Sequence, residues 1–313
     1  MAGPQVCRNC RPEMATTTIA AGRAQPRVGA ALRALTWILP ALAALALVFG
    51  YGVYRLITEA VHRKGQFVGL ENLQIVFDDP LFRTSVGHNL RLLLALPILI
   101  FLALALSILL FEGLRGWRTH RFTLFLPYIL PIPVVGLIFA QILTLNGGLN
   151  QALQSAGLDS LSQDWLGSTK YALWSVAGVI IWKELGFGVI LFLARLLSLP
   201  SDVFEAAQVD GAGFWRTHTR ITIPLLLPII SFYAVIEAIT LISWVFNYVY
   251  VMTRGGPGDA TQVAETYIYS TATTFNAPFL AASAAAILLG GVAIMMVIFS
   301  IVRIRANRAS EML

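Results

Sequence analysis

The sequence is poor in charged residues for its length. Asp, Glu, Lys and Arg together supply 12% of the 313 residues, whereas hydrophobic residues supply 57%. Soluble globular domains carry a charged fraction of about 25%. The shortage of charge therefore excludes a soluble globular protein, and the mean hydropathy of +0.74 indicates an integral membrane protein.

Several motifs that mark enzymes are also missing. The sequence has no Gly-x4-Gly-Lys-Ser/Thr, so we do not expect the chain to bind ATP through a P-loop. It has neither His-Glu-x-x-His nor Gly-x-Ser-x-Gly, which argues against a metalloprotease and a serine hydrolase. The four histidines are scattered along the chain and predict no metal site. We therefore expect a non-catalytic chain with no cofactor of its own.

Cysteine is nearly absent. Cys7 and Cys10 form a single Cys-x-x-Cys without a second pair or a nearby histidine, so the pattern gives little support for a zinc or redox site. Met14 is an alternative start that would remove both cysteines. We expect residues 1–33, which mix basic residues with Gly, Pro and Thr, to form a flexible cytoplasmic tail.

Long uncharged runs dominate what is present. A helix needs about 20 apolar residues to cross the hydrocarbon of a bilayer. Four uncharged runs reach that length, and two further runs reach it with charges inside. The predicted spans are residues 34–54, 92–111, 122–145, 171–194, 225–252 and 279–302. None has the alternation of a barrel strand, so we expect an all-α membrane domain from 34 to 302, followed by a cytoplasmic tail at 303–313.

Lys and Arg predict the orientation of these spans. With the N-terminus in the cytoplasm, the inside segments hold 14 of these residues and the outside loops hold 7. Cytoplasmic loops carry the excess of positive charge in membrane proteins. We therefore expect both termini in the cytoplasm. The net charge of +6 reflects this topology and implies no nucleic-acid partner.

A polar segment at residues 196–224 separates the fourth and fifth predicted spans. Pro200 and Pro224 bound it, and Gly211 and Gly213 divide it, so the pattern predicts two short helices joined at the glycine pair. We expect Gly211 to adopt a backbone angle that a residue with a Cβ would resist. Charged residues and small alanines suit a docking element, because small side chains let another surface approach closely. We call this segment the elbow and expect it in the cytoplasm.

The elbow resembles the coupling loop in permease subunits of ATP-binding-cassette (ABC) importers. That loop has Glu-Ala-Ala, three residues, Gly, nine residues and Ile-x-Leu-Pro, and here Ile223 stands in the leucine position. The resemblance assigns ATPase coupling to Glu205, Ala206, Ala207, Asp210, Gly211, Ile221 and Pro224. The later Thr253-x-Gly-Gly-Pro sequence is similar to the carbohydrate, or maltose-type, branch. The resemblance covers roughly residues 69–302.

The resemblance implies a type I ABC importer permease fold and a division of labour. Two permease subunits, usually a heterodimer, would form the passage, and an extracytoplasmic binding protein would deliver the sugar. Two separate ATPase subunits would bind ATP and Mg. The chain itself would be a multi-pass protein of the bacterial inner membrane, in contact with lipid. The 37 residues from Arg55 to Arg91 are too few for the large external insertion of the maltose permease, so the chain is similar to the shorter members.

Three charged residues lie inside predicted spans. Each costs on the order of 2.5 to 3.5 kcal/mol at the bilayer centre, so we expect them to face the bundle or a wet cavity. Adjacent helical residues point about 100° apart, so we predict that Lys183 pairs with Glu237 and leaves Glu184 for solute. Asn247 and Tyr248 add an amide and an aromatic ring that suit a sugar. The predicted substrate pathway is Glu184, Glu237, Asn247 and Tyr248, with a structural ion pair and an interfacial aromatic belt as alternatives.

The third predicted span contains Pro127, Pro131 and Pro133. Each proline removes a helical donor, so the pattern predicts a kink or a break. A hinge beside a cavity and a static kink that serves packing both remain open.

Other functions also remain open from the sequence. The solute of an importer would be a sugar, a polyol or a glycerol-phosphate-like compound. A proton-coupled secondary transporter would use the three intramembrane charges as a relay, although six spans without an internal repeat argue against it. In a membrane scaffold, those charges would be purely structural.

Overall fold

The computed structural model describes residues 28–113 and 116–310. The chain divides into two compact units, Met1–Val53 and Tyr54–Leu313. Each is described by itself below.

The first unit is helical wherever it is described. A helix runs over Val28–Leu45 (α1), and a π-helical turn follows at Ala46–Gly50. The predicted tail of residues 1–33 therefore ends in helix, since α1 begins inside it. The part of that tail before α1, which includes Cys7 and Cys10, lies outside the described residues.

From residue 51 onward the chain is again mostly helical. A short antiparallel hairpin, β1 (His62–Arg63) and β2 (Gln66–Phe67), interrupts the helices near the start. The helices are α2 (Tyr51–Val61), α3 (Glu71–Asp78), α4 (Pro80–Leu92), α5 (Ala95–Phe111), α6 (Trp117–Ile129), α7 (Ile132–Ile142), α8 (Gly148–Ser155), α9 (Ala172–Leu197), α10 (Ser201–Val209), α11 (Phe214–Thr217), α12 (Ile223–Ser243), α13 (Val245–Met252), α14 (Ala264–Thr273) and α15 (Pro278–Ser310).

Six spans can be recognised among the described residues. Five helical stretches are long and apolar enough to cross a membrane, and a sixth consists of the pair Thr119–Ile129 and Ile132–Ile142, which bend by 98°. The all-α prediction of six spans is confirmed with this bent pair counted as one. The break has the cause that the sequence predicted, because Leu130 precedes Pro131 and adopts an extended conformation with a ψ of 137°.

Two predicted boundaries differ from the structure. The fifth span, predicted at 225–252, is divided at Trp244 into α12 and α13. The C-terminal tail, predicted from residue 303, remains helical to Ser310 as part of α15. Arg and Ala are good helix formers, so the helix does not need to end where the apolar run ends.

The central helix of the second unit is α9. Within an 18-residue apolar stretch of this helix, 61% of the residues are buried inside the chain. The neighbours of α9 include α5, α6 and α12. Two glycines permit the close packing. A Cβ at Gly186 would collide with the carbonyl oxygen of Leu124, and one at Gly188 would collide with the ring of Tyr233. The polar residues of α9 are therefore held in fixed surroundings.

Candidate functional site

The first half of the elbow is a short helix that ends on a glycine. α10 is followed by Gly211 with a φ of +68°. The amide of Gly211 donates to the Gln208 carbonyl at 3.0 Å, and the amide of Ala212 donates to the Ala207 carbonyl at 2.9 Å. This is a Schellman C-cap, whose left-handed residue favours glycine. The prediction that Gly211 permits a backbone angle unsuited to other residues is confirmed.

The second half of the elbow is not a separate helix. α11 continues through a π turn at His218–Thr222 into α12, which gives one helical rod from Phe214 to Ser243. The prediction that Pro224 closes a second short helix is therefore wrong. A π turn shifts the hydrogen-bond pattern just before the proline, so the helix continues past the missing amide of Pro224. The elbow joins the span without a break.

The residues of the Glu-Ala-Ala sequence differ in exposure. Glu205 and Ala206 are exposed, but Ala207 is only 5% exposed and packs within its own chain. Both alanines were expected to leave room for another surface. Ala206 presents a small side chain to the outside, whereas Ala207 lets the elbow pack closely against itself.

A recess of about 250 Å³ lies beside Ala207. Asp210 and Ile221, which the resemblance assigns to coupling, line this recess together with Arg216 and Arg220. Four of the predicted coupling residues thus occupy two places: Glu205 and Ala206 on the outer surface of α10, and Asp210 and Ile221 around the recess.

Two exposed apolar residues of the elbow escaped the sequence reasoning. Val209 is 88% exposed and Trp215 is 78% exposed. Large apolar side chains with such exposure often mark an interaction surface. The signal in the sequence was their position, since both lie in an otherwise polar segment between two spans.

The elbow meets the end of α5 through apolar packing of Leu196 and Leu199, an aromatic contact and a hydrogen bond. The ring centroids of Phe111 and Phe204 lie 5.3 Å apart, and Glu112 Oε1 lies 3.0 Å from His218 Nε2. An open cleft of about 570 Å³ lies beside these contacts, with Glu205 on its wall. Sequence reasoning treated His218 as one of four scattered histidines and did not single out Glu112, because no local pattern joins residues 106 positions apart.

The second candidate site is a polar cluster inside the bundle. Lys183, Glu184 and Glu237 are 5%, 4% and 1% exposed, respectively. This burial confirms that the intramembrane charges face the interior of the bundle. Tyr128, Tyr233 and Tyr248 complete the cluster, which we call the buried polar cluster.

Lys183 has a partner other than the predicted one. Its Nζ lies 3.4 Å from Glu184 Oε1 and donates to the Tyr128 carbonyl at 3.3 Å. The ammonium also lies 5.1 Å from the centre of the Tyr128 ring. The predicted pair of Lys183 with Glu237 is therefore wrong. The helix break after Ile129 leaves the Tyr128 carbonyl without its helical donor, and Lys183 supplies that donor instead.

Glu184 joins two spans through its carboxylate. The Tyr248 hydroxyl donates to Glu184 Oε1 at 2.7 Å, so two predicted pathway residues are brought together. On α12, Glu237 Oε2 and the Tyr233 hydroxyl are buried and have no hydrogen-bond partner within the described residues. Because the two are four residues apart, they share one face of the helix. A buried polar atom without a partner is costly, so this face favours a bound polar group.

Asn247 lies apart from these contacts. It is half-buried, and its amide donates a long hydrogen bond of 3.4 Å to the Trp244 carbonyl in the same segment. Within the described part of the chain, no hydrogen bond links it to Glu184 or Glu237. The nearby ring of Tyr250 instead stacks on Phe246 and meets Tyr269 edge-on at 5.3 Å.

A third polar site joins Glu265, which lies at the start of α14 and outside the spans, to Asn89 of α4. Asn89 Nδ2 donates to both carboxylate oxygens of Glu265, at 3.2 and 3.1 Å, and its Oδ1 accepts from the Ala264 amide at 2.8 Å. Burial raises the pKa of Glu265 to about 7, although hydrogen bonds from its own backbone and from Asn89 lower it. His88 Nδ1 lies 2.8 Å from the Gln262 carbonyl. Together these contacts hold α14 against α4.

Among the residues that the structure describes, no three His, Cys, Asp or Glu side chains are grouped so as to hold a metal ion. The elbow offers exposed charge and apolar surface, and the buried polar cluster offers acceptors and donors in a dry environment.

Comparison with known proteins places the chain in a family. Residues 90–310 match the model of the Binding-protein-dependent transport system inner membrane component family. The chain is 36% identical over 212 residues to the probable ABC transporter permease protein YurN of Bacillus subtilis, which covers 66% of this chain and 72% of YurN. It is 33% identical over 257 residues to the sulfoquinovosyl glycerol transport system permease protein SmoG of Agrobacterium fabrum, which covers 79% of this chain and 82% of SmoG.

A solved structure shares the fold. A chain of a bacterial alginate ABC transporter, in complex with a periplasmic protein bound to an alginate pentasaccharide, superimposes with a TM-score of 0.77 at 22% identity. The match covers 87% of this chain and 94% of that one. Permeases of this kind are multi-pass, non-catalytic subunits that work with an ATPase and a substrate-binding protein. The family that the elbow sequence indicated is thus confirmed by a match over most of the chain. The chain belongs to the binding-protein-dependent transport system inner membrane component family, in its maltose-type branch.

Proposed function

We propose that this chain forms one half of the membrane passage of an ABC importer for a carbohydrate, and that its elbow passes the motion of an ATPase to that passage. One observation carries the proposal. The rod from Phe214 to Ser243 contains both the second half of the elbow and Glu237 of the buried polar cluster. At 1.5 Å per residue, Glu237 lies about 35 Å along the rod from Phe214. A displacement at one end therefore reaches the other without a flexible linker.

The exposed surface of the elbow supports docking of a protein. Glu205 offers a carboxylate, Ala206 allows close approach, and Val209 and Trp215 offer apolar anchors. Interfaces gain most of their affinity from a few buried aromatic and charged residues. The other coupling residues are Ala207, Asp210, Gly211, Ile221 and Pro224, which shape the backbone and the recess behind this surface.

The orientation follows from the docking partner. ATPase subunits bind ATP and Mg in the cytoplasm, so the elbow and both termini lie on that side, as the Lys and Arg distribution predicts. In this arrangement the membrane domain is residues 34–302, with cytoplasmic tails before and after it. A second permease subunit, in a heterodimer, supplies the other half of the passage, and an extracytoplasmic binding protein delivers the solute.

The buried polar cluster supports a hydroxylated solute. Sugars present hydroxyl groups that donate to carboxylates, and ring faces that pack on aromatic side chains. The free Glu237 oxygen and the Tyr233 hydroxyl would accept from and donate to such a solute, beside Glu184 and Tyr248. We retain Asn247 in the pathway because its half-buried amide lies on α13, the helix that carries Tyr248. SmoG, a relative, is named for the transport of a sugar derivative, sulfoquinovosyl glycerol.

ATP acts in this scheme by favouring one of two packings of the bundle. A ligand shifts a conformational equilibrium only through a difference in its affinity for the two states. The difference in affinity would arise at the elbow. A groove on the ATPase would hold the elbow in one position when ATP is bound and in another when ATP is absent. The rod would convert this change into opening or closing at the cluster.

Uptake into vesicles tests the proposal. The chain would be purified with its copurifying ATPase, second permease and binding protein, placed in proteoliposomes, and assayed with radiolabelled lactose and sulfoquinovosyl glycerol. We expect ATP-dependent uptake of at least one probe that vanadate blocks. Glu205→Lys would abolish uptake while the complex still assembles. Glu59→Lys makes the same change of charge outside the elbow, at a half-exposed ion pair with Arg55, and would leave uptake unchanged.

A glycine pair provides a second matched comparison. Gly211 needs its positive φ, whereas Gly213 has an ordinary φ of −73°, and neither has a described atom within 4 Å of an added Cβ. Gly211→Val should reduce uptake about tenfold or more, because a left-handed conformation costs a β-branched residue at least about 1–2 kcal/mol. Gly213→Val should keep most of it. Equal uptake by all these variants, or uptake without any associated ATPase, would contradict the coupling function.

A further inference from the structure

The rod that would carry motion from the elbow has a weak point. The π turn at His218–Thr222 lies between α11 and α12, directly before Pro224. Turns of this type and prolines are the usual places where a helix bends. A force applied at Phe214 would bend an unsupported rod here before it moved the span.

His218 is fixed at this weak point from three sides. It is only 3% exposed, its Nδ1 lies 3.0 Å from Thr222 Oγ1, and its Nε2 lies 3.0 Å from Glu112 Oε1. The ring of Phe214 packs edge-on against it, with centroids 4.4 Å apart. A carboxylate only accepts hydrogen bonds, so Nε2 carries a proton, and in the neutral ring Nδ1 accepts from the Thr222 hydroxyl. Both ring nitrogens are thus satisfied.

The same contact ties the π turn to another span. Glu112 directly follows α5, so the hydrogen bond connects the rod to the end of α5. The packing of Phe111 on Phe204 connects α10 to that same end. Leu196 and Leu199 at the start of the elbow also pack with Ile108 of α5, whereas an open cleft of about 570 Å³ lies beside the Glu112 and Phe111 contacts. The π turn is therefore supported at the end of α5 by the hydrogen bond between Glu112 and His218.

We propose that Glu112 and His218 are positioning residues for coupling: their hydrogen bond braces the π turn against the end of α5, so that movement of the elbow displaces α12 and α5 together. The inference rests on the proposed coupling function of the elbow. Without the brace, the ATPase still hydrolyses ATP, but the rod bends at the π turn and less of the movement reaches the passage.

The test uses variants that separate the hydrogen bond from packing. Glu112→Ala removes the acceptor at a largely exposed side chain, so folding should be preserved. His218→Phe keeps a ring beside Phe214 but removes both hydrogen bonds. Glu112→Gln is the conservative control, because its amide oxygen still accepts from Nε2.

The first readout is transport per ATP hydrolysed, measured in proteoliposomes of the whole complex with radiolabelled lactose or sulfoquinovosyl glycerol, whichever the wild-type complex imports. We expect the ratio to fall about fivefold or more in Glu112→Ala and in His218→Phe, since about fivefold is the factor that the net loss of one typical hydrogen bond implies for a two-state equilibrium. The double variant should be no worse than His218→Phe alone, since that variant already breaks the contact with Glu112. Glu112→Gln should restore the wild-type ratio.

The second readout needs no solute. Spin labels at positions 202 and 119, in a background without the native cysteines, report the distance between α10 and the start of α6 in the assembled complex. The wild type and Glu112→Gln should give one narrow distance distribution, and Glu112→Ala should give a broad one. A purely structural contact would instead lower the yield of assembled complex in Glu112→Ala without changing the distribution.

One result would contradict the bracing role alone: Glu112→Ala and His218→Phe keep the wild-type transport per ATP and the wild-type distance distribution, although Glu205→Lys blocks uptake. The coupling function would then still stand. Normal uptake in Glu205→Lys as well would overturn both. Loss of assembly in both brace variants would show that the pair holds the fold together, which also contradicts a positioning role.

Discussion

One helical rod joins the second half of the elbow to the buried polar cluster, but the two regions use their charged groups in opposite ways. Glu205 and Asp210 in the elbow are exposed to solvent, whereas Glu184 and Glu237 in the cluster are 4% and 1% exposed. An exposed carboxylate stays hydrated until a partner arrives, so it contributes little to the stability of the isolated chain. A buried carboxylate depends on the partners already present in the fold.

This difference indicates a division of roles along the rod. The elbow can change partners because its carboxylates, Glu205 and Asp210, are exposed in the isolated chain. The cluster cannot do so freely, since Lys183, Glu184 and Tyr248 form a network in which each side chain satisfies another. Within the cluster, the oxygen of Glu237 and the hydroxyl of Tyr233 have no partner among the described residues, which is why they suit a transient solute.

The largest expected effect breaks the network of the cluster. Glu184→Ala leaves the Lys183 ammonium buried without its carboxylate and removes the acceptor of the Tyr248 hydroxyl. Removal of one partner of a buried ion pair typically costs about 3–5 kcal/mol. Thermal or denaturant unfolding in detergent micelles should therefore show a large loss of stability.

A double variant provides the matched control for that experiment. Lys183→Met together with Glu184→Leu removes both charges and keeps the volume of the side chains, so it should recover much of the lost stability. If Glu184→Ala unfolds like the wild type, the network does not hold the cluster together, and the contrast with the elbow fails.

Glu265 tests a carboxyl between these extremes, because it is half-buried and hydrogen-bonded to Asn89. Burial raises its pKa to about 7 from the usual 4.5, so the folded state favours the neutral form. The neutral Glu265 carboxyl therefore contributes its full stabilisation of the folded state below about pH 4.5, and this contribution is lost as the pH rises through about 7. Over that window we expect the free energy of unfolding to fall by about 1–3 kcal/mol, discounted for partial exposure.

Glu265→Gln removes the titration and keeps an amide that can bond to Asn89. The difference in unfolding temperature between this variant and the wild type should be small at pH 4.5 and should grow in favour of the variant up to pH 8. Parallel curves for the two proteins would show that Glu265 is solvated like the carboxylates of the elbow.

The two regions also differ in how far the sequence alone could predict them. The conformation of Gly211 was predicted because a helix C-cap depends on residues within one turn. The six spans were predicted because a long apolar run is sufficient to define each one. The partner of Lys183 was predicted wrongly, since it depends on the Tyr128 carbonyl that a break in another span exposes. The contact of Glu112 with His218 joins segments far apart in sequence, so no local pattern predicts it.

The smallest expected effect on stability isolates the role of the elbow. Glu205→Gln changes an exposed carboxylate without altering its size, so the unfolding free energy of the isolated subunit should stay within about 0.5 kcal/mol of the wild type. Uptake by the assembled importer should nevertheless fall, because the charge offered to the ATPase is gone. The same change at Glu184 would lower stability in the isolated subunit. Equal losses of stability at Glu205 and Glu184 would contradict this contrast, because they would show that the exposed carboxylate of the elbow contributes as much to the folded subunit as the buried carboxylate of the cluster.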